Sequence, residues 1–216
     1  MLNRAAAVIF VSMIWLALVN VSVFACACCA EPGTYILSSH RPREYEIGLL
    51  KEMAFDRKAN LYLTEAGFET VKGLDDLSKE SEMEAYVESY DELDLVNSFT
   101  GRVWRFELRS AGGKKGTLVL PLPAAMVNFK VDIHDVENRP NGPLLYKELR
   151  FKGNISSATG IFRSGSIRPA TYFLVFQGRG NGCDEVSNYT DWRLEINGPH
   201  AHYAFYGKLS SGEKIE

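Results

Sequence analysis

Residues 103–109 place Trp104, Phe106 and Leu108 in strict alternation with Arg105, Glu107 and Arg109. Successive side chains of a strand leave on opposite faces, so a period of two predicts a strand with one buried and one wet face. The glycine- and lysine-rich stretch 111–116 then reads as a turn, and residues 117–120 return as the hairpin partner. The same period recurs at 126–134, where Val127, Phe129, Val131 and Ile133 are expected inward and Asn128, Lys130, Asp132 and His134 outward. Near the C-terminus, Trp192, Leu194 and Ile196 alternate with Arg193 and Glu195, and Tyr203, Phe205, Gly207 and Leu209 share a face.

Further strands are expected at 44–50, 59–63, 84–90, 145–151 and 172–177, separated by turn clusters such as Asn138 to Pro143 and Lys152 to Asn154. The fold class is therefore all-β: a single antiparallel barrel or sandwich of about nine or ten short strands. Between them, residues 73–94 carry nine acidic side chains and one lysine, with a short helix expected around 74–83. That run lacks the Asp-x-Asp-x-Asp-Gly spacing of a calcium loop and reads as a solvated segment.

Export is written at the N-terminus. Arg4 precedes an apolar stretch, 5–19, interrupted by Ser12, and small residues follow at Ala25 and Ala27. This is the layout of a signal peptide covering 1–27, cut before Cys26 or before Cys28, ahead of one β-rich domain, 28–216. The expected location is periplasmic, extracellular or on the outer surface. Contact with a membrane would come through a lipid on Cys26 or through an uncleaved leader. Losing Arg4 leaves 23 basic against 27 acidic side chains, a formal charge of −4, so a nucleic-acid partner is not expected.

Three of the four cysteines, Cys26, Cys28 and Cys29, follow the leader directly, and Cys183 stands alone far downstream. In an oxidising compartment a disulfide from this cluster to Cys183 is the expected fate. Closing a loop of about 155 residues would contribute roughly 4–5 kcal/mol through the unfolded chain. Two other uses stay open: a thiolate site for zinc or copper, and lipidation of Cys26. A second candidate metal set is His200 and His202 with Asp132 and His134, since imidazole and carboxylate suit Zn²⁺ or Cu²⁺. No resident cofactor is otherwise expected.

The spaced glycines Gly178, Gly180 and Gly182 lack the dinucleotide spacing and suggest a bulged loop needing positive φ. Asp184, Glu185 and Asp191 beside them could attract a cation, or simply keep the loop wet. Asn154-Ile155-Ser156 and Asn188-Tyr189-Thr190 fit the N-glycosylation pattern. No Gly-x-Ser-x-Gly, P-loop or His-Glu-x-x-His motif occurs. In strand number and alternation the chain resembles lipocalin-like barrels, a likeness that implies a fold and no function.

The expected function is thus an exported, non-enzymatic β-domain that binds a small ligand or a partner protein. The alternatives are an extracytoplasmic metal or redox protein, and a hydrolase or isomerase with an unrecognised site. Intact mass of the exported chain, with and without reductant, is expected to show loss of the first 25 or 27 residues and a reducible Cys183. Four free thiols, or a lipid-sized increment on Cys26, would be the contrary results.

Overall fold

The computed structural model describes residues 35–62, 74, 92–133 and 144–212. The expected signal segment, the strand expected at 84–90 and, apart from Leu74, the acidic run up to residue 91 lie outside them. Among the described residues eleven strands form one antiparallel sheet: β1 (Tyr35–His40), β2 (Lys58–Tyr62), β3 (Glu92–Thr100), β4 (Val103–Arg109), β5 (Lys115–Pro121), β6 (Met126–Asp132), β7 (Leu145–Asn154), β8 (Ser157–Gly160), β9 (Thr171–Gly180), β10 (Tyr189–Gly198) and β11 (Ala201–Lys208). Their order across the sheet is β1-β6-β7-β9-β10-β11-β2-β3-β4-β5-β8.

The alternation at 103–109 behaves as its sequence predicts. Trp104, Phe106 and Leu108 are buried, and β4 pairs with β5 from Val103–Pro121 to Arg109–Lys115. Residues 44–50, however, are not a strand. They open α1 (Glu44–Glu52), which buries Glu46, Ile47, Leu49 and Leu50. Its start is chemically marked: Glu44 and Glu46 sit in the first turn, where carboxylates complement the helix dipole, and the Glu46 carboxylate accepts the Arg43 backbone N–H at 2.7 Å.

β6 is inverted relative to its expected facing. Met126 and Asn128 are the buried residues of this strand, whereas Val127, Phe129 and Val131 lie half-buried on the opposite face. Alternation fixes that neighbouring side chains part company, but not which set turns inward. Polar partners waiting inside decide it, as described below. On the outer face, the Arg150 guanidinium stacks over the Phe129 ring at 4.7 Å, which shields part of that apolar side.

One face of the sheet supplies the core. Trp104 meets Phe151 at a ring separation of 5.1 Å and Phe176 at 6.3 Å, although β4 is six places from β7 in the sheet. The sheet therefore rolls, bringing distant strands face to face. Phe55, from the chain entering β2, fills the space between them, 5.5 Å from Phe106, 5.8 Å from Phe176 and 5.4 Å from Trp192. Tyr203 and Phe162, the latter leading into the 3-10 turn Arg163–Ser166, stack at 5.7 Å elsewhere in the same core. Phe55→Ala is expected to lower stability by about 3 kcal/mol through the cavity left between β4, β9 and β10. A urea midpoint within error of the parent would contradict this packing role.

Candidate functional site

Chemistry-bearing side chains gather in two places, one buried and one open. The buried cluster begins with a lysine on the inner face of β7. Leu145, Lys147, Leu149 and Phe151 share that face, and Lys147 is fully buried among them. An ammonium in such a position is costly unless its protons are satisfied. Lys147 Nζ donates to the Cys183 carbonyl and to Asn188 Oδ1 at 2.6 Å, and lies 3.5 Å from Asp184 Oδ1.

Asp184 is the shared acceptor. Its Oδ2 takes Lys130 Nζ at 3.0 Å and Asn128 Nδ2 at 2.9 Å, and its Oδ1 takes the Tyr189 hydroxyl at 3.0 Å. Lys130 also donates to the Gly182 carbonyl at 2.6 Å. This is why β6 turns Asn128 and Lys130 inward. Burial alone would raise the Asp184 carboxyl, but Lys130, Lys147 and Asn128 outweigh it and hold the group below its ordinary value. Burial pulls the Lys147 ammonium down to about 8 against the opposing pull of Asp184. The Tyr189 hydroxyl is raised well above its usual value, by burial first and by Asp184 next.

The glycines after β9 make room for this cluster. Gly178 lies opposite Lys147 in the β7–β9 register, and a Cβ there would stand 1.9 Å from the Asn188 carbonyl oxygen. Gly178 and Gly180 thus serve close approach within a strand, not positive φ, and they let Asn188 reach Lys147. Asp184, read from sequence as a loop carboxylate in water, is instead an internal counter-ion. Through these bonds the cluster clamps the 181–188 connection onto the sheet.

α1 lies near this end of the sheet. Glu46, 1% exposed, accepts from Arg43 Nε at 3.0 Å and from His40 Nε2 at 2.9 Å, tying β1 to the helix. Burial pushes the Glu46 carboxyl up, but hydrogen bonds from Arg43 and His40 prevail and lower it to about 2.

Of the residues proposed from sequence for metal binding, Asp132, Cys183, His200 and His202 are described. His200 is exposed in the β10–β11 turn, and His202 on β11 has Nδ1 2.9 Å from Asn197 Oδ1. Asp132 ends β6, four strand spacings from β11, roughly 19 Å along the sheet. His134, Cys26, Cys28 and Cys29 lie outside the described residues. No group of three or more His, Cys, Asp or Glu side chains suited to a metal ion forms among the described residues. Cys183 is disulfide-bonded. It is the one cysteine among the described residues, so no bridge joins two of them.

The open site is a groove of about 600 Å³ on the outer face of β3, β4, β5 and β8. Cross-strand register sets its walls: Asp94, Arg109 and Lys115 form one row, and Val96, Glu107, Thr117 and Thr159 the next. Gly160 closes one end at φ +63°, and a Cβ there would stand 2.0 Å from the Lys115 carbonyl oxygen. The outward residues of β4 were legible in sequence as a wet face, but the groove is completed by β8, which is far from β5 in the chain and carries no local signal of that pairing. A smaller groove of about 440 Å³ lies between Pro121, Asn154 and Arg168.

Asp184→Asn is expected to cost about 3–5 kcal/mol, because two lysines lose their shared counter-ion. Both Asp184 and Glu46 are depressed in the folded state. Their contribution is therefore complete above the unfolded carboxyl range and fades as pH falls, for Glu46 down towards about 2. Urea unfolding at pH 7 and pH 3 is expected to show a smaller parent-to-variant gap at pH 3, and an equal gap would refute this linkage.

No protein-family model, no curated protein and no solved structure matches this chain.

Proposed function

We propose that this chain is an exported, non-enzymatic β-domain that recognises a small ligand or a partner protein on the outside of its sheet. The observation that carries this reading is the filled interior: Phe55, Trp104, Phe106, Phe151, Phe176 and Trp192 occupy the middle of the rolled sheet. The space that a ligand would take inside a small barrel is used by the protein's own rings. The groove over β3, β4, β5 and β8 falls within the size range of small-molecule sites. Lys147, the buried amine with the most perturbed chemistry, has its protons committed to Cys183, Asn188 and Asp184, which favours a structural role over a catalytic one.

The architecture in this reading is an up-and-down barrel. Residues 122–125 join β5 to β6, and residues 155–156 join β7 to β8. The two long strands so formed pair with each other along their length, Gly116 with Gly160 at one end and Asp132 with Leu145 at the other. Ser156 N–H donates to the Val119 carbonyl at 2.9 Å within that run. Setting β1 aside and merging these two pairs turns the eleven strands into a ring of eight, with β11 pairing back onto β2. Such closure removes exposed edges.

Export, through the leader of residues 1–27, supplies the oxidising compartment, and the N-terminal cysteine cluster supplies the partner of Cys183. The staple then fastens the new N-terminus to the connection that Lys130, Lys147 and Asp184 hold in place. Among the described residues no helix is long and apolar enough to cross a membrane.

Tryptophan emission tests the outer-face reading. The chain has three tryptophans, and loss of the leader removes Trp15, leaving Trp104 and Trp192, both buried in the core. Titration with a long-chain fatty acid is expected to leave their emission unchanged. A saturable shift in wavelength or intensity would put a ligand among the core rings and overturn the proposal.

A further inference from the structure

Charges on the groove wall are unevenly matched. Arg105 Nε lies 2.7 Å from Glu107, and Lys58, outside the groove, lies 3.2 Å from Asp94 and 2.9 Å from Glu92. Both carboxylates of the groove are thereby engaged. Arg109 and Lys115 remain, and among the described residues no carboxylate is within ion-pairing distance of either.

These two cations are direct cross-strand neighbours at the end of the β4–β5 hairpin. Like charges placed opposite each other in a ladder disfavour the pairing, so the arrangement is not explained by the stability of the hairpin. Beside them stand the Thr117 and Thr159 hydroxyls, which face each other between β5 and β8 and make no hydrogen bond among the described residues. Val96, 67% exposed, offers an apolar contact on the β3 side. The set therefore combines a planar fork of donors, a mobile point charge, two hydroxyls and one apolar wall around a single concavity.

We propose that this groove binds a small oxyanion ligand, with Arg109 and Lys115 sharing its negative charge and Thr117 and Thr159 donating to its remaining oxygens. A guanidinium matches carboxylate or phosphate oxygens in pairs, and an ammonium adapts to whichever oxygen is left. Placing an anion between the two cations also removes their mutual repulsion, so the site is better satisfied occupied than empty. This assignment rests on the reading of the protein as an outer-face binder, and it adds the ligand class and the residues.

The test is calorimetric titration of the mature, oxidised protein with citrate and, separately, with inorganic phosphate, at low salt because exposed charges are screened. The expected result is one saturable site for at least one probe, weakened about tenfold by Arg109→Gln or by Lys115→Gln. Affinity is expected to hold in Lys51→Gln, an exposed lysine in the last turn of α1 that does not line the groove. Both groove cations are exposed, and matching urea midpoints would confirm that the variants fold. Preference for citrate assigns the site to carboxylates, and preference for phosphate assigns it to phosphates. Absence of binding by both probes overturns the inference. Undiminished binding in the double variant also overturns it: with unchanged tryptophan emission the groove assignment alone fails, and with shifted emission the outer-face reading fails too.

Discussion

Phe55, Trp104, Phe106, Phe151, Phe176 and Trp192 come from five separate segments and meet at ring separations of 5.1–6.3 Å. The contacts are mostly edge-to-face or tilted, the arrangement in which ring quadrupoles attract, and each adds about 0.5–1.5 kcal/mol beyond area burial. Much else depends on them. A sheet this wide can bury its apolar face only by rolling until distant strands touch, and these rings are what they touch with. The same packing removes the interior as a place for a ligand. The open concavity lies instead on the outer face, where β3, β4, β5 and β8 shape a groove.

A second constraint sits at one end of the core, where Lys130, Lys147 and Asp184 share a small volume. A buried ammonium is tolerable only when carbonyl, amide and carboxylate oxygens surround it, and those oxygens come from the 181–188 connection. Glycines at 178 and 180 allow that connection to lie directly on the sheet. The consequence is an anchored Cys183, whose carbonyl accepts from the buried Lys147 ammonium. Ion pairs and backbone hydrogen bonds together hold that loop on the sheet.

Much of the fold was readable residue by residue. Strands β4, β5, β7 and β10 follow alternation that is visible in sequence, because each has one face on the core and a more open face opposite; β9 and β11 do so except at Val175 and Ala204, which are buried on the second face. Misreadings cluster where that condition fails. Residues 44–50 alternate over a few positions but fold as α1, whose signals were the paired glutamates of its first turn. β6 alternates correctly and faces the opposite way, because its polar side meets Asp184 rather than solvent. For the candidate site, the charged face of β4 was visible, but its conversion into a groove was not.

What the sequence by itself determined is the period-two pattern, and with it a β-fold, together with an apolar N-terminal run followed by three closely spaced cysteines. These are local properties: side-chain alternation, an apolar run and residue spacing act over a few bonds. Tertiary structure decided which face of β6 is inside, that Asp184 is a counter-ion, and that β8 brings Thr159 against Thr117 beside the hairpin pair Arg109 and Lys115. Those outcomes depend on register between strands far apart in the chain, and register is set by the packing of the whole core.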